Sequence, residues 1–278
     1  AARRLYGEVF GGESYYEGYS PFEKRDASIF ALGDATIEPM SPSDEPGALD
    51  MPVGRFLQRF GASWHSIAIN TTGVLALADH LTAAGIRVVG PGGIAVSEMS
   101  GDGPVSIYTH PKDTHVLIEF VDFGAPFMPA SPRLRGQDAR ALAAAHPAGV
   151  FALSHVTVLV RDLAAATAQF VDLFGCPLVE QSHDGPLRTA RLRLGTETIV
   201  ELCQPAVEVE AGGHSEEAEA LVTSGEGVYS VSLLTVDLDR AERYLASAGV
   251  PGERRSPDLL VLDRAACAGA RLRLVQAP

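Results

Sequence analysis

Glu119 stands in an otherwise apolar run, Val116-Leu117-Ile118-Glu119-Phe120-Val121. A carboxylate on a strand that faces a core is costly to desolvate, so it calls for a metal ion, a transferable proton or a cation as partner. His65 opens a second apolar alternation behind Trp64, and His155 opens a third, Val156-Thr157-Val158-Leu159-Val160. Glu38 and Glu201 share a different mark: each lies four places before a proline, Pro42 and Pro205. Imidazole and carboxylates together form a hard N/O donor set suited to Co2+, Mn2+, Ni2+, Zn2+ or Fe2+ and poor for Cu(I). Such groups can polarise a carbonyl and move a proton on the adjacent carbon. Each residue also has a plainer reading: His65 as a half-buried ring beside Trp64, Glu38 as a solvated strand end, Glu119 as half of a salt bridge. His80, His146, His183 and His214 fall on helix faces or loops and carry no assignment, and His110 before Pro111 reads as a turn residue.

These residues have to be positioned by repeated elements. The clearest copy runs from the His155 strand through a helix over Arg161–Phe174 stopped by Gly175, then strands near 177–182, 187–194 and 197–203, a β-α-β-β-β unit. A second runs from Trp64–Ile69 through a helix over Leu75–Ala84 to strands near 86–89, 94–99, 104–109 and 115–121. A shorter fourth takes Val228–Val236, a helix over Asp239–Ala248, and strands near 259–263 and 270–276. The first copy matches only if Phe10 is set against Phe174. Ala1 then matches Ala165, and the opening strand, with the counterpart of His155, falls upstream of Ala1. Helices over Pro52–Phe60 and Glu216–Thr223 follow equivalent links. The expected fold class is α+β, with four βαβββ modules in two pairs, each pair a cupped mixed β-sheet with flanking helices. Residues 1–122 would hold modules one and two with the site, 123–149 a Pro-rich linker, and 150–278 modules three and four.

Composition narrows the function classes. The 22 Lys and Arg against 35 Asp and Glu leave a formal charge of −13, which argues against a protein working by neutralising nucleic-acid or membrane phosphates. The three cysteines, Cys176, Cys203 and Cys267, are far apart and suggest neither disulfide framework nor thiolate metal site. No apolar run is long enough to span a bilayer and the first residues lack a hydrophobic signal core, so a cytoplasmic protein is expected.

Paired modules with a first-strand His and a last-strand Glu resemble the vicinal oxygen chelate superfamily, which includes glyoxalase I and extradiol dioxygenases. Residues 1–122 are most similar to methylmalonyl-CoA epimerases, through Gly33-Asp34-Ala35-Thr36-Ile37-Glu38, Pro52-Val53-Gly54-Arg55-Phe56-Leu57, Trp64-His65-Ser66-Ile67-Ala68 and Thr109-His110-Pro111-Lys112-Asp113-Thr114-His115-Val116-Leu117-Ile118-Glu119. The resemblance implies a divalent metal held by His65, Glu119, Glu38 and a residue upstream, with Glu119 and Glu38 also as the catalytic carboxylates. It further implies an epimerase, isomerase or lyase step through an enediolate on a small-molecule carbonyl substrate, of which a CoA thioester is one candidate, and it leaves a homodimer open. Departures exist. The middle strand of module one has Ala27 or Ser28 where a further carboxylate can stand, and His115 replaces a Gly-Gly pair. His155 and Glu201 form a second candidate site, but their module-four counterparts are Ser230 and Leu274, which argues against ring cleavage. The alternative is a metal-free small-molecule or antibiotic-binding protein of the same fold.

Overall fold

In a computed structural model, residues 1–98, 106–122, 138–183, 186–195, 197–206 and 215–278 are described. Most of the expected Pro-rich linker, the acidic stretch over 208–214 and His214 lie outside them. A π-helical segment, Arg3–Val9, leads to β1 (Glu13–Ser20), β2 (Arg25–Leu32), β3 (Ala35–Ile37) and β4 (Met40–Pro42). Next come α1 (Pro52–Phe60), β5 (Ile67–Thr71), α2 (Val74–Ala83), β6 (Val88–Val89), β7 (Ser106–Thr109), α3 (Pro111–Thr114) and β8 (Ile118–Asp122). The second half holds α4 (Ala139–Ala144), β9 (Val150–Leu159), α5 (Leu163–Phe174), β10 (Leu178–Ser182), β11 (Leu187–Leu194) and β12 (Thr198–Pro205). It closes with α6 (Glu216–Ser224), β13 (Gly227–Thr235), α7 (Leu238–Ser247), β14 (Gly252–Ser256), β15 (Leu259–Leu262) and β16 (Leu272–Gln276).

Local sequence explains the helices. The Asp162 carboxylate caps α5 by accepting from the Ala165 N–H, Gly175 leaves it at φ 62, and Leu163, Ala166 and Phe170 form its buried stripe. Asp237 caps α7 in the same way, with Leu238, Ala241 and Leu245 buried. The strands form three sheets, ordered β1-β2-β3 with β4 also on β2, β5-β8-β7-β6, and β10-β11-β12-β9-β13-β16-β15-β14. The architecture is α+β with mixed sheets, as expected: β9 runs parallel to β12 and β13 parallel to β16, while the hairpins are antiparallel.

By spatial contact the chain divides into two units. The first is Ala1–Trp64, Phe127–Ser154 and Ser230–Pro278; the second is His65–Pro126 and His155–Tyr229. The expected boundaries follow the chain, whereas these units gather separate stretches. In the first unit Phe30, Leu233, Leu238, Leu245, Leu260 and Leu272 are fully buried. In the second, Leu81, Ile107, Ile118, Phe170, Leu192 and Leu202 are, each such side chain contributing about 1.5–3 kcal/mol. Within the second unit the rings of Phe120 of β8 and Phe174 of α5 meet tilted at 38°, centroids 5.8 Å apart, and the Gln169 amide donates to the Asp113 carbonyl at 2.6 Å.

Two expectations change. The strand near 94–99 is a 3-10 turn, Val96–Glu98, because Gly92 and Gly93 take φ of 70 and 84 and turn the chain, leaving one isolated bridge, Val89 to Ala95. An unforeseen strand, β14, is Gly-Glu-Arg-Arg-Ser, almost wholly exposed at the sheet edge and so without a hydrophobic alternation to betray it. Among the described residues no helix is long and apolar enough to cross a membrane.

Candidate functional site

Glu119 of β8 has different neighbours on its two sides. On one, antiparallel β7 sets Tyr108 directly across from it; on the other, parallel β5 sets Ala68 beside it. Cross-strand partners stand only about 5 Å apart at Cβ, and the Tyr108 hydroxyl donates to Glu119 Oε1 at 2.6 Å. Both side chains are half-buried. His65 precedes β5, with its Nδ1 3.2 Å from the Ser66 hydroxyl.

The same arrangement recurs in the second unit around Glu201 of β12. Antiparallel β11 sets Arg191 across from it and parallel β9 sets Thr157 beside it. Arg191 Nε donates to Glu201 Oε2 at 2.9 Å, the Thr157 hydroxyl donates to Oε1 at 3.2 Å, and His155 Nε2 lies 3.7 Å from Oε1. His155, two residues before Thr157, shares its face of the strand. The structure thus brings His155 and Glu201 together, both buried, with the part-exposed Arg191 guanidinium already bonded to the carboxylate. Counting back equally from Ala68 gives Ser66, so His65 stands one place off the register that His155 occupies.

Glu38 belongs to the first unit. Its Oε1 accepts from Arg25 Nη1 at 2.8 Å, and Arg25 Nε donates to Glu23 Oε2 at 2.6 Å. Burial pulls the Arg25 guanidinium down, but the Glu38 and Glu23 charges and hydrogen bonds more than reverse this, so its pKa stays above the ordinary value. Tyr15 of β1 is pushed up to about 12, first by burial, with the Glu38 charge adding to it. Tyr15, Arg25 and Glu23 were not singled out in the sequence, nor were Tyr108 and Arg191.

A divalent ion needs several converging hard donors. Among the described residues no three His, Cys, Asp or Glu side chains gather into a metal-holding group. Glu38 and Glu201 each accept from a guanidinium, and Glu119 from a phenol. The described residues therefore do not make up a metal site, and the chemistry they support directly is proton transfer and charge pairing.

Residues 153–265 match the model of a glyoxalase-like domain. No curated protein matches. Among solved structures, 4-hydroxymandelate synthase from Streptomyces coelicolor covers 99% of this chain and 88% of its own at 15% identity and a TM-score of 0.68. Methylmalonyl-CoA epimerase from Mycobacterium tuberculosis is 28% identical over 47% of this chain and 91% of its own, with a TM-score of 0.42. An epimerase variant from Streptomyces coelicolor, in complex with 2-nitronate-propionyl-CoA, is 20% identical over 46% of this chain and 98% of its own, TM-score 0.40. The chain has the vicinal oxygen chelate fold, and its residues 153–265 are similar to a glyoxalase-like domain.

Proposed function

We propose that this chain is an enzyme that moves a proton on the carbon next to a carbonyl, with Glu119 as the base. The observation that carries this reading is the short hydrogen bond from Tyr108 to Glu119. A base has to be held in one orientation to meet a C–H bond, and a phenol across the strand pair does that without a full positive charge on the carboxylate. Glu119 takes the proton, the substrate passes through an enolate, and Glu119 returns the proton to a neighbouring atom, which gives isomerisation; epimerisation needs a second proton donor on the opposite face. A glyoxalase-like match over residues 153–265, a stretch that does not include Glu119, supports the reading at the level of the fold. A small carbonyl compound is the substrate class, with acyl-CoA thioesters and α-hydroxy-ketones as its two candidates. The divalent ion implied by the resemblance would polarise the carbonyl oxygen; the described residues do not assemble its donors, so the step rests on Glu119 and Tyr108.

The test is deuterium exchange from D2O into acyl-CoA thioesters and α-hydroxy-ketones. Exchange by the wild type, reduced about 100-fold or more in Glu119→Gln, is expected of a lost general base. Equal exchange in both proteins overturns the reading. Stoichiometric metal in the wild type, absent from both Glu119→Ala and His65→Ala, would bring the ion back with those two residues as ligands. The guanidinium contacts of Glu38 and Glu201 favour a second reading, a metal-free binding protein. It predicts saturable binding of an apolar ligand with no exchange into any carbonyl compound.

A further inference from the structure

Arg161 and Arg188 border a cavity of about 280 Å3 in the second unit, together with His183, Gln181, Gln204 and Asp162. Arg188 of β11 and Gln204 of β12 are cross-strand partners, and each lies three residues from the corresponding member of the Arg191–Glu201 pair. Odd separations along a strand place side chains on opposite faces. The cavity therefore opens on the other side of the sheet from Glu201, against the start of α5. Among the described residues neither guanidinium is in an ion pair with a carboxylate; that of Arg161 donates only weakly to the Leu221 carbonyl at 3.4 Å. The Asp162 carboxylate is occupied in capping the Ala165 N–H at 3.0 Å. Gln204 Oε1 accepts from the Leu163 N–H at 3.1 Å, which turns its amide NH2 toward other acceptors.

The Glu226 carboxylate accepts from the Arg161 backbone N–H at 2.7 Å and not from its guanidinium, so among the described residues both guanidinium groups that border the cavity stand without a carboxylate partner, in a chain of formal charge −13. Guanidinium groups match the geometry of phosphate and carboxylate oxygens, and a second cation multiplies that preference. We propose that this cavity binds a small oxyanion, the phosphate or carboxylate end of a metabolite, through Arg161 and Arg188, with His183 and the Gln204 amide as further donors. Its volume lies at the lower end for ligand sites, which suits an anionic group with a short stem rather than a large molecule. The site is independent of the Glu119 chemistry.

The experiment is calorimetric titration of the whole chain at constant ionic strength, with inorganic phosphate in one series and malonate in another. Arg161→Gln and Arg188→Gln alter exposed side chains. Arg193→Gln is the control, an exposed arginine further along the same strand. Expected is saturable one-to-one binding of at least one anion, weakened about tenfold or more in each cavity variant and unchanged in the control, as befits loss of a charge-assisted bond. The preferred anion tells phosphate from carboxylate ligands. No saturable binding of either anion, or equal weakening in Arg193→Gln, overturns the proposal.

Discussion

Glu119 and Glu201 each lie between a parallel and an antiparallel neighbour, and each accepts from the side chain directly across on the antiparallel strand, Tyr108 in one case and Arg191 in the other. The difference between phenol and guanidinium sets what each carboxylate can do. Arg191 supplies a charge that compensates Glu201, whose side chain is 12% exposed, while Tyr108 orients Glu119 without cancelling its charge. Tyr108→Phe is expected to lose about 1.5–3 kcal/mol of stability in urea titration, the range for a hydrogen bond to a charged group. It should also slow any proton exchange by Glu119 while leaving substrate affinity nearly constant. Arg191→Leu is expected to cost a comparable amount, held below the range for fully buried pairs because Arg191 is itself 40% exposed. No loss in either variant would mean that these cross-strand bonds do not hold the glutamates. Glu119 was legible from its apolar strand and Glu201 from its place four residues before Pro205. Their partners were not, because a cross-strand partner is visible only once register is known. A faint signal existed: Tyr108 precedes Glu119 by 11 residues and Arg191 precedes Glu201 by 10, the spacing of two strands around a hairpin.

At the scale of elements, helices were the most readable part of the chain, since α5 and α7 carry an Asp cap before a regular buried stripe. Strands at sheet edges were the least readable. β14 lacks any apolar face, and the turn at Val96–Glu98 follows glycines whose positive φ overrides the apolar residues beside them. Between these extremes stands the short α3, tethered by its own charge. Arg87 donates to Asp113 through its side chain at 2.6 and 2.7 Å and through its backbone N–H at 3.0 Å. The Arg87 side-chain bond, ahead of its backbone bond and charge, brings the Asp113 carboxyl from 3.8 to about 2. A carboxyl with a lower pKa in the folded chain contributes stability that is complete above its unfolded value and disappears as pH falls through the folded one. Wild type should therefore lose an increment of stability between about pH 4 and pH 2. Urea midpoints measured across that range should fall more steeply for wild type than for Asp113→Asn. Parallel curves would show that the Arg87 bridge adds nothing to the folded state.

For the whole molecule, the fold class was readable because the repeated module imposes the same order of helix and strands several times over, and each copy supports the others. Which residues gather was readable only for His155 and Glu201. Glu38 and Glu119 match in module position, yet they belong to different units, and the basic cavity around Arg161 joins residues from α5's start and three strands that no motif connects. The thiols offer a probe of both units, because Cys176 and Cys203 lie in the second and Cys267 in the first, all three buried and unpaired with one another. Burial pushes Cys176 up to about 11 and Cys267, aided by the Asp263 charge, up to about 12. Around pH 8 fewer than about one in a thousand of these two thiols is in the reactive thiolate form, and the buried site excludes the reagent besides. An aromatic disulfide reagent is accordingly expected to label none of the three in native buffer and all three in concentrated guanidinium chloride. The denaturant dependence of labelling, assigned cysteine by cysteine by mass spectrometry, then reports the opening of each unit separately. Stoichiometric labelling of any one thiol within minutes in native buffer would contradict the packed interior in the unit that holds it, and with it the positioning of the carboxylates or arginines that the same unit carries.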